Sequence, residues 1–293
     1  MKKAVFLLAI LIVAFWATAG AASGQAQQNA PAAGQAAPAA KRPPQAKTQP
    51  EFDAWKAASA NTDPAALEKG ADDFATKFPN SELRVLLYKR AMQAYQNADN
   101  AAKTEAMGRK VLSCDADDPD ALVMVSLVIA EKTGDTDLDR DQRLGEAITM
   151  AKKALTTIDT DLAIPAGTPQ EKVDAYKSGL RSQAYSILGA IDYKREDYVS
   201  AQTDLQKSID AYPSDPQAVD ILRLALALDK QGTAETDHGK QQEKYAEALK
   251  YADRAVSMTQ DNTPIGTPAR RERDRLQQLA GAAPAQPQTP PKN

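Results

Sequence analysis

Asp135, Asp137, Asp139 and Glu146, in the stretch DTDLDRDQRLGE, stand at positions 1, 3, 5 and 12 of a twelve-residue calcium loop. Carboxylates at that spacing supply hard oxygen ligands, and helices are expected on both sides. Two positions depart from the pattern. Arg140 occupies the sixth, where the sharp turn calls for Gly, and Gln142 the eighth, where an apolar residue is usual. The plainer reading is a solvated acidic loop whose carboxylates favour the N-terminus of the next helix. The single histidine, His238, lies in the polar stretch AETDHGKQQEK and reads as a solvated side chain, since a base needs an orienting partner and a nucleophile within reach. The single cysteine, Cys114, has no partner for an internal disulfide and reads as a small hydrophobe. With no glycine-rich phosphate loop and no paired metal motif, neither enzymatic activity nor a cofactor is expected.

The charge distribution narrows the partner class. Six of the 36 basic residues (Lys2, Lys3, Lys41, Arg42, Lys47 and Lys292) lie outside 51–280, whereas all 39 acids lie inside it, so that body carries a net −9. Nucleic-acid binding rests on neutralising phosphates and is disfavoured by an acidic body.

The ends differ from the middle. Lys2 and Lys3, an apolar run from Ala4 to about Ala17 and the small residues after it have the form of a signal peptide over 1–22. Cleavage is expected after Ala17-Thr18-Ala19 or Ala19-Gly20-Ala21, placing the protein in the periplasm or outside the cell. Uncleaved, the same segment would anchor the chain to the membrane. Residues 23–50, rich in Ala, Gln and Pro, are expected to be a disordered linker, and 281–293 a disordered tail of similar character.

These elements must be positioned by helices. Between 51 and 280 every proline, from Pro64 to Pro268, falls where a helix would begin or a connection would run. Reading between them predicts helices near 51–60, 64–77, 81–97, 101–114, 119–133, 140–158, 169–195, 198–211, 216–231, 240–258 and 268–280. No segment alternates with period two, so the fold class is all-α.

The helices repeat. Taking Ser182 as position 1 of a unit of about 34 residues places Tyr185 at 4, Leu188 at 7, Gly189 at 8, Tyr198 at 17, Ala201 at 20, Leu205 at 24 and Ser208 at 27. Residues 85–118 fit the same frame, with Tyr88, Ala91, Met92 and Tyr95 at 4, 7, 8 and 11. LGEAITMAKKAL (144–155) aligns with YAEALKYADRAV (245–256), and DDPDALVMVSLVIAEKTG (117–134) with SDPQAVDILRLALALDKQG (214–232). The second offset, about 97 residues, suggests tandem modules near 81–180 and 181–280.

This pattern resembles the tetratricopeptide repeat of exported bacterial proteins. Asp192 departs from it at position 11, where an aromatic is usual. The resemblance implies an antiparallel helix-pair solenoid over 51–280, with about four to five repeats and a C-terminal capping helix. It also implies a concave groove, here assigned Lys89, Gln93, Asn97, Gln183, Ser186, Tyr193 and Lys194. The expected function is a non-catalytic protein–protein interaction scaffold or assembly factor of the cell envelope, binding a protein or peptide. The alternatives are an inner-membrane-anchored accessory factor of secretion or envelope biogenesis, and a calcium-responsive binding protein acting through 135–146.

Overall fold

A computed structural model describes residues 41–280. The expected signal peptide, the first part of the linker and the C-terminal tail lie outside the described residues.

The described residues form eleven helices and no strand: α1 (Gln49–Ser59), α2 (Pro64–Lys77), α3 (Arg84–Asn97), α4 (Ala101–Cys114), α5 (Pro119–Lys132), α6 (Arg140–Thr157), α7 (Gln170–Lys194), α8 (Tyr198–Ala211), α9 (Ala218–Ala234), α10 (His238–Ser257) and α11 (Gly266–Ala280). Local chemistry sets most of their starts. Asp63, Asn100, Asp118, Asp197 and Asp237 each accept a hydrogen bond from an amide in the first turn, satisfying one of the donors a helix start leaves open. Pro64 and Pro119 sit in first turns, where their fixed φ is already helical. Ser81 explains why α3 begins at Arg84 and not at 81. Its hydroxyl donates to the buried carboxylate of Glu51 and accepts from the Leu83 amide, so the chain turns there before winding.

Each helix packs on the next, most closely in the pairs α3–α4, α5–α6, α7–α8 and α9–α10, with further packing between helices two places apart. Three clusters of buried side chains follow one another along the chain. The first runs from Leu67 to Ala121, the second from Leu122 to Ile191, and the third from Ala201 to Leu276. The architecture is therefore an all-α stack of consecutive helix pairs, each buried by its neighbours. α11 closes it on α10, inserting Ala269 and Leu276 into the third cluster.

Two junctions repeat in detail. Two residues past the ends of α3 and α7 stand Asp99 at φ 55° and Glu196 at φ 63°. The following amides, Asn100 and Asp197, donate back to the Tyr95 and Asp192 carbonyls at 2.9 and 3.0 Å. This left-handed closure satisfies the last carbonyls of each helix.

The linker expected to run to residue 50 is folded at its end. Residues 41–48 lie against the stack, with Lys41 ion-paired to Asp115 and Arg42 to Glu82. Low complexity concealed this, because the partners are acids brought near only by the stacking. Among the described residues, no helix is long and apolar enough to cross a membrane.

Candidate functional site

The acidic loop does not gather its carboxylates. α6 begins at Arg140, so the position that would need the sharp turn of a calcium loop is already helical. Asp137 instead accepts the Gly134 amide at 2.8 Å, while Asp135 stays within 3.7 Å of the Arg140 guanidinium. Asp139 precedes α6 without a side-chain capping bond. Glu146 points to α4, pairing with Arg109 at 2.7 Å, and that hydrogen bond holds its carboxyl below the usual range against the opposing effect of burial. Among the described residues, no group of three or more His, Cys, Asp or Glu side chains could hold a metal ion. The loop's tip carries Leu138, fully exposed. His238 is exposed at the first residue of α10.

Of the seven residues assigned to the groove, four are engaged inside the stack. Lys89 on α3 donates to Asp118 at 2.8 Å and to Asp120, with all three side chains largely buried. The Tyr176 hydroxyl on α7 donates to the other oxygen of Asp120 at 2.5 Å, so one network ties α3, α5 and α7. Burial pushes the Lys89 ammonium down, but the two carboxylates outweigh it and hold the group well above its ordinary value. Burial and Asp120 likewise keep the Tyr176 phenol protonated. Lys89 is thus a tie between helix pairs, because a charge at that depth is stable only when paired.

Ser186 holds the corresponding place on α7. Its hydroxyl donates to Asp220 at 2.6 Å, and Ser208 donates to the other Asp220 oxygen at 2.8 Å. Asp220 is wholly buried, and desolvation raises its pKa against these bonds. Tyr193 packs on the third core cluster and edge-on against Tyr198, ring centroids 5.4 Å apart. The Lys194 ammonium donates to the Ala130 and Thr133 carbonyls at 2.6 and 3.1 Å, closing the C-terminus of α5. Burial depresses its pKa.

Three assigned residues remain at the surface: Gln93 and Gln183 half-buried, and Asn97 exposed at the end of α3. A bowl of about 620 Å³ opens beside Asn97, between the α3–α4 turn and the α5–α6 pair. Asn100, Glu105, Val128, Lys132 and Arg143 line it. Thr133 orients Arg143 by accepting from its Nε at 3.1 Å.

The network residues Asp118, Asp120, Tyr176 and Asp220 were not singled out in the sequence. Their one legible signal is a polar residue at position 5 of a first helix with an acid near the start of the next. No family model matches the chain, and no curated protein is significantly similar to it.

Proposed function

We propose that the chain is an exported, non-catalytic scaffold of tetratricopeptide type, with about four to five repeats, which binds a protein or peptide partner in the cell envelope. The observation that carries this reading is the stack itself: helix pairs packed on their sequence neighbours, the architecture in which a chain presents an extended, pre-formed surface. Two units aligned in sequence also share their turn geometry at Asp99 and Glu196, as repeats of one motif should. The largely buried polar groups Lys89, Tyr176 and Asp220 hold helices together. Export rests on the Lys2–Lys3 start and the apolar run after it.

The binding face in this reading centres on Gln93, Asn97 and Gln183, with the bowl next to Asn97. The test is crosslinking in intact cells with a C-terminally tagged chain, followed by mass spectrometry of what is captured. A reproducible envelope partner, lost in the triple variant Gln93→Arg, Asn97→Arg, Gln183→Arg with its helix content unchanged, is the expected result. A partner retained undiminished by that variant moves binding to another face. Recovery of the chain alone overturns the scaffold reading.

A further inference from the structure

Helix packing in this stack runs between elements one or two places apart. Residues 41–48 reach much further, along the edge where each pair hands over to the next. At the α2–α3 junction, Arg42 donates to both Glu82 oxygens at 2.8 and 2.6 Å, and Lys47 Nζ to the Asn80 carbonyl at 3.3 Å. At the α4–α5 junction, Lys41 Nζ donates to both Asp115 oxygens at 2.7 Å. At the α6–α7 junction, the Lys41 amide donates to the Thr160 carbonyl at 3.1 Å, and Asp161 lies 3.7 Å from its ammonium. The other end is fixed, since the Lys47 amide donates to Glu51, and Glu51 accepts from Ser81.

We infer that residues 41–48 are an electrostatic strap that sets the relative rotation of the first three inter-pair junctions and is released by salt. The contacts of Lys41, Arg42 and Lys47 are polar, with Arg42 exposed, while Ala46 alone packs against the first core cluster. The side chains of Lys41, Arg42 and Glu82 are 35%, 63% and 38% exposed, so mobile ions reach them. Apart from Ala46 the strap adds no side chain to the core clusters, so release of the Lys41 and Arg42 ion pairs leaves the pairs folded while freeing their mutual angle. A stack of neighbour-only contacts accumulates small rotations into overall curvature. A tie across three junctions therefore governs the shape of the surface offered to a partner.

Hydrogen–deuterium exchange on the full chain tests this, comparing the wild type with Lys41→Ala, Arg42→Ala at low salt and at about 0.5 M salt. The expected result is roughly tenfold faster exchange across 79–83, 115–118 and 158–162 in the double variant, with 240–280 unchanged. High salt should reproduce that pattern in the wild type and add little to the variant. The charge exchange Arg42→Glu, Glu82→Arg should restore protection at 79–83, whereas Arg42→Glu alone should not. Equal exchange in wild type and double variant, or acceleration spread evenly to 240–280, overturns the strap.

Discussion

The pairs α3–α4 and α7–α8 are built on one frame with different contents. Tyr88 and Tyr185 stand at the same place in their units, and each lies under a lysine from the second helix. Lys110 is 5.3 Å from the Tyr88 ring centroid, and Lys207 is 5.4 Å from that of Tyr185. Inside the frame, small and large have changed sides. The first pair sets Met92 on its first helix against Gly108 on its second; a Cβ at Gly108 would lie 3.2 Å from Met92 Sδ and closer still to Val125 Cγ2 on α5. The second pair sets Gly189 on the first helix against Leu205 on the second, where a Cβ would lie 2.6 Å from Leu205 Cγ. One small and one large side chain meet at each crossing, as close-packed interiors that penalise both voids and overlap require. Polar ties have changed as well. Lys89 with two aspartates in one unit becomes Ser186 with one aspartate in the other. Tyr95, whose hydroxyl donates to Glu68 at 2.5 Å, becomes Asp192.

The largest expected effect separates the two ties. Lys89→Met leaves Asp118 and Asp120 buried without their cation and should cost about 3–5 kcal/mol in urea unfolding. Ser186→Ala leaves Asp220 with Ser208 and with Arg223 at 3.5 Å, and should cost about 1–2 kcal/mol. Equal costs would mean that the two ties are energetically the same despite their chemistry.

Next is the exchanged pair. Gly189→Met should destabilise by about 2–3 kcal/mol through overlap with Leu205. Adding Leu205→Gly, which reproduces the first unit's arrangement, should recover at least about 1 kcal/mol despite the cost of glycine in a helix. A double variant no better than the sum of its parts would remove this pairing of small with large as the explanation.

The third effect is pH-dependent. Burial, with the charges of Asp204 and Asp197, pushes Asp192 up to about 6 from its model-peptide value of 3.8. The folded state therefore holds this proton more tightly than the unfolded one, and stability falls as pH rises from about 4 through 6. Asp192→Asn should remove that loss. Because the group is only partly buried, solvent screening limits the gain to about 1 kcal/mol at pH 7, with none at pH 4. Parallel stability curves for the two proteins between pH 4 and 7 would refute the assignment.

The smallest is at the shared turn. Glu196→Gly relieves a left-handed conformation and should stabilise by about 0.5–1 kcal/mol, read from the thermal midpoint.

Much of the fold was legible because its signals are local. Prolines, Asx caps and the 3.6-residue period mark where helices start and stop, and α2, α4 and α8 span the predicted ranges. The departure at Asp192 was visible as a broken pattern, and the structure gives it a physical meaning in a displaced pKa. The site was less legible. Lys89, Ser186 and Lys194 were assigned to the groove from their positions in the repeat frame, which says nothing of which partners reach them. Their partners, Asp120, Asp220 and the α5 carbonyls, lie 31, 34 and 64 or 61 residues away. The strap was hidden for the same reason, with Lys41 and Asp115 separated by 74 residues.

By itself, then, the sequence determined the helices and their stacking order, since backbone hydrogen bonding and amphipathic burial act over a few residues and between neighbours. Only the tertiary structure decided which polar groups face solvent and which hold helix pairs together. A charged side chain carries no local mark of its burial; that depends on whether the stack brings an opposite charge within hydrogen-bond reach.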